Sequence, residues 1–298
     1  MKSVVADPET RVTCARIETV GGLVFRFAWY PHNLIMSNGE VYITDPFFEP
    51  SDVVSEVGLS PSVFDSQAFF DSAGITRNQL LSGVLDNARG YLFETSWAAP
   101  VEDEEAIKKT IFGKSRIEDD QYIIESMSLS DPASQSVGTQ VSAKCTHTLF
   151  DETLDSTTLI ATDRSRCTGP RAAPDGPVLA DYLVTGTVTG VTSQSVWTDT
   201  GRTEDADYFA LGSVLWLTGD NSGLRSMSIK DHATGGVFTL QESTFSAIQV
   251  GDTYKMIPGC DKKRSGSCVT VYDNAINCVA MEDVVTEEAF NAYGTNGN

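Results

Sequence analysis

Pro258-Gly259-Cys260-Asp261-Lys262-Lys263-Arg264-Ser265-Gly266-Ser267-Cys268 decides how the second half of the chain is read. It places two thiols, with seven residues between them, in a loop rich in glycine and charge, and it runs on to Asn274-Ala275-Ile276-Asn277-Cys278. Such a loop needs a framework to hang from. Working outward, Asp252 to Ile257, Val237 to Gln241, Arg225 to Asp231, Asp207 to Leu217 and Tyr182 to Thr192 are strand-like segments. They are rich in β-branched and aromatic residues, and Gly219-Asp220-Asn221-Ser222-Gly223 is a turn between two of them. Strands separated by turn signals every 8–12 residues or so are the pattern of an all-β sandwich or barrel.

The first half reads the same way. Arg11 to Val20 alternates loosely, Gly21-Gly22 turns, and Leu23 to Trp29 is a second strand. Asn38-Gly39 is a hairpin signal, because a two-residue I′ turn needs positive φ at both positions. Glu40 to Thr44 is its return strand, ended by Asp45-Pro46, and Ser62 to Phe70 is a further strand. One short helix is predicted over Thr76 to Ser82. Thr76 and Gln79 have capping-box spacing, and Gly83 stops it. Ala88 to Trp97 is again strand. Ala106 to Ile117 and Gln121 to Leu129 flank Glu118-Asp119-Asp120 as a hairpin. The polar stretch Ser130 to Ser142 marks a boundary between two β-domains, residues 1–140 and 141–298. Thr148 to Thr162 is an insertion between Cys145 and Cys167, and Thr168 to Pro177 is turn-rich. No strand–helix alternation of an α/β enzyme is present.

The chain has 298 residues and a net charge of -20. That surface offers no electrostatic footprint for binding nucleic acid, though it would let a duplex slide past without sticking. No run of 18 or so apolar residues could form a spanning helix. Met1 to Pro8 lacks the apolar stretch of a signal peptide, so the expectation is synthesis in a reducing cytoplasm. Six cysteines there point to free thiols or metal ligands ahead of disulfides.

Enzymatic signatures are missing. There is no Gly-x-Ser-x-Gly elbow, no Walker sequence and no glycine fingerprint opening a helix. The three histidines are His32, His147 and His232. Of these, only His147, two places after Cys145, is placed to act as a ligand or a supporting donor. Cys14, inside the first strand, reads as a buried structural thiol. Cys145, Cys167, Cys260 and Cys268 lie in polar, turn-like contexts instead. Four thiolates can close a tetrahedral zinc site or carry a cubane iron–sulfur cluster. Structural zinc favours close cysteine pairs, whereas the gaps here are wide. Spacing alone leaves metal ligation, unliganded thiols and disulfides all open. A second class of function is a carbohydrate- or receptor-binding β-module with Trp197 and Trp216 as platforms. A cell-wall hydrolase would need a Cys/His or metal–histidine set that is not found.

Several segments together resemble a known family. They are Gly259-Cys260-Asp261-Lys262 with Cys268 and Asn274-Ala275-Ile276-Asn277; Thr185-Gly186-Thr187-Val188-Thr189; Gly251-Asp252-Thr253-Tyr254; Arg166-Cys167; and Gly235 to Leu240. In the first domain Leu23 to Phe27, Asn38 to Tyr42 and the Thr110 to Leu129 hairpin fall in the same order. The chain is similar to the baseplate hub, or tail-tip, proteins of siphophages and gene transfer agents, which correspond in role to the minor tail protein L of lambda-like phages. The resemblance implies a structural virion protein assembled in the host cytoplasm and located at the tail tip. It implies a homotrimer below the distal tail protein ring, passing to a central tip or fibre protein, with DNA only passing through the lumen. It also implies a [4Fe–4S] cluster, with zinc as the alternative, on Cys145, Cys167, Cys260 and Cys268, a metal site that staples the second β-domain. Two features depart from the family pattern. Thr146 to Arg166 separates the first two cysteines, and Cys278-Val279-Ala280 replaces an aromatic, proline-rich ending. The second departure makes Cys278 an alternative fourth ligand.

Overall fold

The structure, a computed structural model, describes residues 8–44, 49–50, 64–69, 74–118, 121–128, 142–147, 149, 167 and 176–282. The expected strand end at Asp45-Pro46, the Asp119-Asp120 turn, the Ser130 to Val141 stretch and nearly all of the Cys145–Cys167 insertion lie outside the described residues. The chain forms two compact units, residues 1–136 with 223–225, and residues 137–222 with 226–298.

The first unit is built on one nine-stranded sheet, ordered β3-β4-β2-β1-β7-β8-β9-β6-β5. Beside its central strand β7 (Arg89–Ser96) lies β1 (Arg11–Glu18), paired antiparallel with β7 and with β2 (Val24–Ala28). Strand residues point alternately to the two faces, and here both faces are covered. Ala15 and Ile17 enter one core with Phe27, Leu92, Ile75 and Leu80. Val12 and Cys14 enter the other with Ala28, Phe93, Leu34 and Tyr42. This double burial is why β1 alternates only loosely in the sequence. The long strands β8 (Glu105–Glu118) and β9 (Gln121–Ser128) extend the sheet, with a register shift between Phe112 and Ser115. Beyond them lie β6 (Phe64–Phe69) and β5 (Glu49–Pro50).

Helix α1 (Arg77–Leu81) forms as predicted. Thr76 Oγ1 accepts from Gln79 N–H, Gln79 Oε1 accepts from Thr76 N–H, and Gly83 follows with φ +76°. The Asn38-Gly39 hairpin forms between β3 (Leu34–Ile35) and β4 (Val41–Thr44), but not with the expected I′ turn. Only Gly39 has positive φ, at +87°. Gly39 N–H bonds Met36 C=O, Met36 N–H bonds Glu40 C=O, and Asn38 Oδ1 caps Glu40 N–H. This is the three-residue loop closed by a left-handed glycine. The return strand then pairs parallel with β2, which its sequence does not announce.

The second unit carries a seven-stranded, wholly antiparallel sheet, ordered β10-β16-β13-β14-β15-β12-β11, curved as a half-barrel. Its members are β10 (Val184–Thr187), β11 (Gly190–Ser193), β12 (Val196–Thr198), β13 (Ser213–Trp216), β14 (Met227–Ala233), β15 (Val237–Leu240) and β16 (Thr253–Ile257). Two expectations need correction. Tyr182 to Thr192 is not one strand: it divides into the end of a short helix, α2 (Leu179–Tyr182), then β10 and β11. Asp207 to Leu217 is strand only at its end, because Asp207 and Leu211 adopt φ of +64° and +61° and turn the chain. With α3 (Ser267–Thr270), three short α-helices occur among the described residues, where one was expected.

Trp197 is fully buried at the centre of this unit's core. It stacks on Phe238 at 5.0 Å and meets Trp216 and Tyr254 edge-on. Trp216 is 2 % exposed. Neither ring presents a face to solvent, so the two residues are core members and not sugar platforms.

Candidate metal centre

The site hangs from the C-terminal end of β16. Gly259 lets the chain leave the strand pressed against residues 210–212, where a Cβ would overlap the main chain of Ala210, Leu211 and Gly212. Tyr272 then pins the loop's start by donating its hydroxyl to the carbonyls of Pro258, at 2.9 Å, and Gly259, at 3.1 Å. Asp261 organises the turn between the two cysteines. Its Oδ1 accepts from Lys263 N–H at 3.0 Å and Ser267 N–H at 3.1 Å, and Ser267 Oγ accepts from Asp261 N–H. A carboxylate bonding its own backbone two residues on is the usual Asx device of tight turns. Gly266 is required there, since a Cβ would meet the Asp261 carboxylate. Helix α3 follows and buries Cys268.

Two more segments join this loop. Cys145 N–H donates to Lys262 C=O at 2.8 Å, and Lys262 Nζ donates to His147 C=O at 2.6 Å. Cys167 is drawn in by Asn274, whose Nδ2 donates to Cys167 C=O at 2.8 Å while its own N–H bonds Cys268 C=O at 2.6 Å. Asn274 is buried, and its Oδ1 accepts from Asn277 Nδ2. Cys167, Leu149, Ile257 and Tyr272 form a small core against which Cys260, Tyr182 and Val271 pack.

Hydrogen bonds therefore tie together the segments that carry Cys145, Cys167, Cys260 and Cys268. Cys145, Cys167 and Cys268 are buried, Cys260 and Cys278 half-buried, and none forms a disulfide. Burial pushes the Cys167 thiol up to about 12, and Cys145, Cys260 and Cys278 add to the shift while Lys262 opposes it. Burial also raises Cys268, which shares a side-chain hydrogen bond with Cys278 and feels Cys260 and Cys145. Cys260 is raised by burial, then lowered by the N–H and charge of Lys262. His147 supports the site through its Nδ1, 3.0 Å from Asn277 C=O, which requires the Nδ1–H tautomer because a carbonyl only accepts. Cys14 lies apart in the first unit, fully buried and pushed up to about 12 by that burial.

Buried thiols resist ionising unless a cation compensates the charge. A metal centre supplies that cation and takes the thiolates as ligands. The donor set is soft, sulfur-rich and free of disulfides, so it fits a thiolate-bound metal group. Among the described residues, however, no three thiol, imidazole or carboxylate groups stand close enough to hold a single ion. The residues that sequence reasoning passed over are Lys262, Asn274 and Tyr272, which align the cysteine segments. The Asp261–Lys263 spacing of an Asx turn was the available signal for the first of these.

Residues 3–153 match the family described as baseplate hub protein, N-terminal attachment domain. The chain belongs to the baseplate hub family. Residues 207–287, which include Cys260, Cys268 and Cys278, match a second family, described as phage conserved hypothetical protein BR0599. In three dimensions the hub resembles a chain in the virion of a native gene transfer agent particle, with a TM-score of 0.71 at 20 % identity over 94 % of this chain and 89 % of that one. No curated protein matches by sequence. As a baseplate hub, the protein is a structural, non-enzymatic component of the virion tail tip.

Proposed function

We propose that this hub forms a trimeric ring that joins the distal tail protein and tail tube to a central tip or fibre protein. Its first domain makes the attachment, and its second carries a structural [4Fe–4S] cluster on Cys145, Cys167, Cys260 and Cys268. The observation that carries the cluster is the convergence of cysteine-bearing stretches from three chain segments, with no thiol in a disulfide. Soft thiolates brought from separate segments suit a cubane or a zinc ion, and the family resemblance is what favours the cubane. The group would act in folding, since ligation energy at a site assembled from distant segments is folding energy.

The acidic surface suits a lumen through which DNA passes without adhering. Full-length protein purified without oxygen should be brown and carry about four iron and four sulfide per chain. Colourless protein with stoichiometric zinc would refute the cluster. Native mass spectrometry should give a trimer, and a monomer at every concentration would refute the ring.

A further inference from the structure

One residue touches two of the three cysteine-bearing segments. Lys262 follows Cys260 by two places and has a left-handed backbone, φ +61°. That conformation is unfavourable for a residue with a Cβ and persists where surrounding contacts over-determine it. Here the contacts are on the page. The turn aims Lys262 N–H back at Cys260 Sγ, 3.4 Å away, and its carbonyl out at Cys145 N–H, 2.8 Å away. The ammonium reaches past Cys145 to His147 C=O at 2.6 Å. Cys278, on the chain that leaves the short helical turn Ala275–Asn277, joins the cluster beside Cys268.

We propose that Lys262 is the positioning residue of the thiol site: its left-handed backbone seats Cys145 beside Cys260. This rests on the reading of the thiols as metal ligands. It explains how a cysteine separated from Cys167 by a long insertion still reaches the site. Its register comes from the Cys260 turn and not from the Cys167 side. The lysine therefore has two separable parts, a backbone conformation that glycine would reproduce and an ammonium that glycine would not.

The test uses full-length, metal-free, reduced protein. Alkylation by iodoacetamide is followed thiol by thiol by mass spectrometry in the wild type and in Lys262→Val, Lys262→Gly and Lys262→Met. Valine resists positive φ and loses both backbone contacts, so Cys145 should react about tenfold faster while Cys268 is unchanged. Glycine should keep Cys145 within about threefold of wild type, and methionine, lacking only the ammonium contact, should fall between. Equal protection of Cys145 in all four proteins overturns the proposal. If the valine protein does not fold, a glycine protein whose Cys145 reacts about tenfold faster than in the wild type overturns it as well. Anaerobic reconstitution then tests Cys145 as a ligand: Cys145→Ser should lose the iron–sulfur absorbance, and an unchanged absorbance overturns that role. A wild-type chain that takes up no iron sinks the metal reading, whereas unchanged Cys145 alkylation sinks the role of Lys262.

Discussion

Replacing Gly259 by alanine adds one methyl group where there is no room and no side chain to yield. The new Cβ would overlap the carbonyl carbon of Leu211, the carbonyl oxygen of Ala210 and the nitrogen of Gly212. That turn is fixed from both sides, by Leu211 N–H to Ile229 C=O and by Gly212 N–H to Phe209 C=O, each at 3.0 Å. Relief must come from moving main chain, either there or at Cys260. Overfilling a packed site by one methylene-sized group costs about 1–3 kcal/mol, and clashes with backbone alone put this case near 3 kcal/mol. For a unit of this size each kcal/mol lowers Tm by about 2–4 °C, so the second unit should melt about 6–12 °C lower. Calorimetry of the reduced full-length protein reads this directly. Gly190→Ala is the control. Its Cβ would meet Thr198 Cβ at 3.6 Å, an ordinary contact, and the change should stay within about 0.5 kcal/mol. A Gly259→Ala protein that melts with the wild type would refute the close approach and, with it, the reason a glycine precedes Cys260.

Other perturbations separate the elements of the fold. His232 is 1 % exposed, stacked on Phe238 at 4.6 Å and edge-on to Phe209, and burial lowers its pKa below the ordinary 6.5 against the opposing pull of Glu204, Asp207 and Asp231. The unfolded chain then binds the proton more readily, so stability is full above that ordinary value and is lost as pH falls through the folded one. Urea midpoints measured downward from neutral pH should drop in the wild type and drop less in His232→Phe; parallel curves would show that His232 is not responsible. Trp197→Ala removes the centre of the second core and should cost about 3–5 kcal/mol, whereas Trp97→Ala, with that ring 43 % exposed, should cost far less. Equal losses in denaturant titrations would contradict the burial assignment. Thr76→Ala opens the capping box of α1 and should cost about 1 kcal/mol, and a midpoint unchanged in the first unit's transition would count against that cap.

The strands of the first unit were legible because they are long. Over eight residues β1 and β7 show their apolar members whatever the register, and the Thr76–Gln79 box announces itself by spacing. In the second unit, strands of three or four residues carry too little pattern. Trp197 lies in a three-residue strand between Ser195 and Asp199, and its aromatic side chain left a surface platform open as a second reading until its burial was seen. Asp207 and Leu211 look like strand members, yet their left-handed backbone is set by the turn that brings residues 210–212 against Gly259. The cysteines were legible as a set because their polar surroundings were wrong for core thiols. Their pairing was not: Cys145 meets Cys260 through a backbone bond to Lys262, and no local pattern encodes a contact between segments so far apart.

That contact also decides how the second unit bears load. Its incoming chain, residues 142–147, is bonded to its outgoing chain: Met281 N–H to Ser142 C=O, Cys145 N–H to Lys262 C=O, Lys262 Nζ to His147 C=O, and His147 Nδ1 to Asn277 C=O. Every strand of the seven-stranded sheet lies in sequence between those two segments. Tension applied at the two ends of the unit therefore meets these bonds, and any ligation of the neighbouring thiols, before it reaches a strand ladder. In a tail-tip component the force of attachment can pass from one neighbour to the next through the clasp, while the half-barrel beside it stays unloaded.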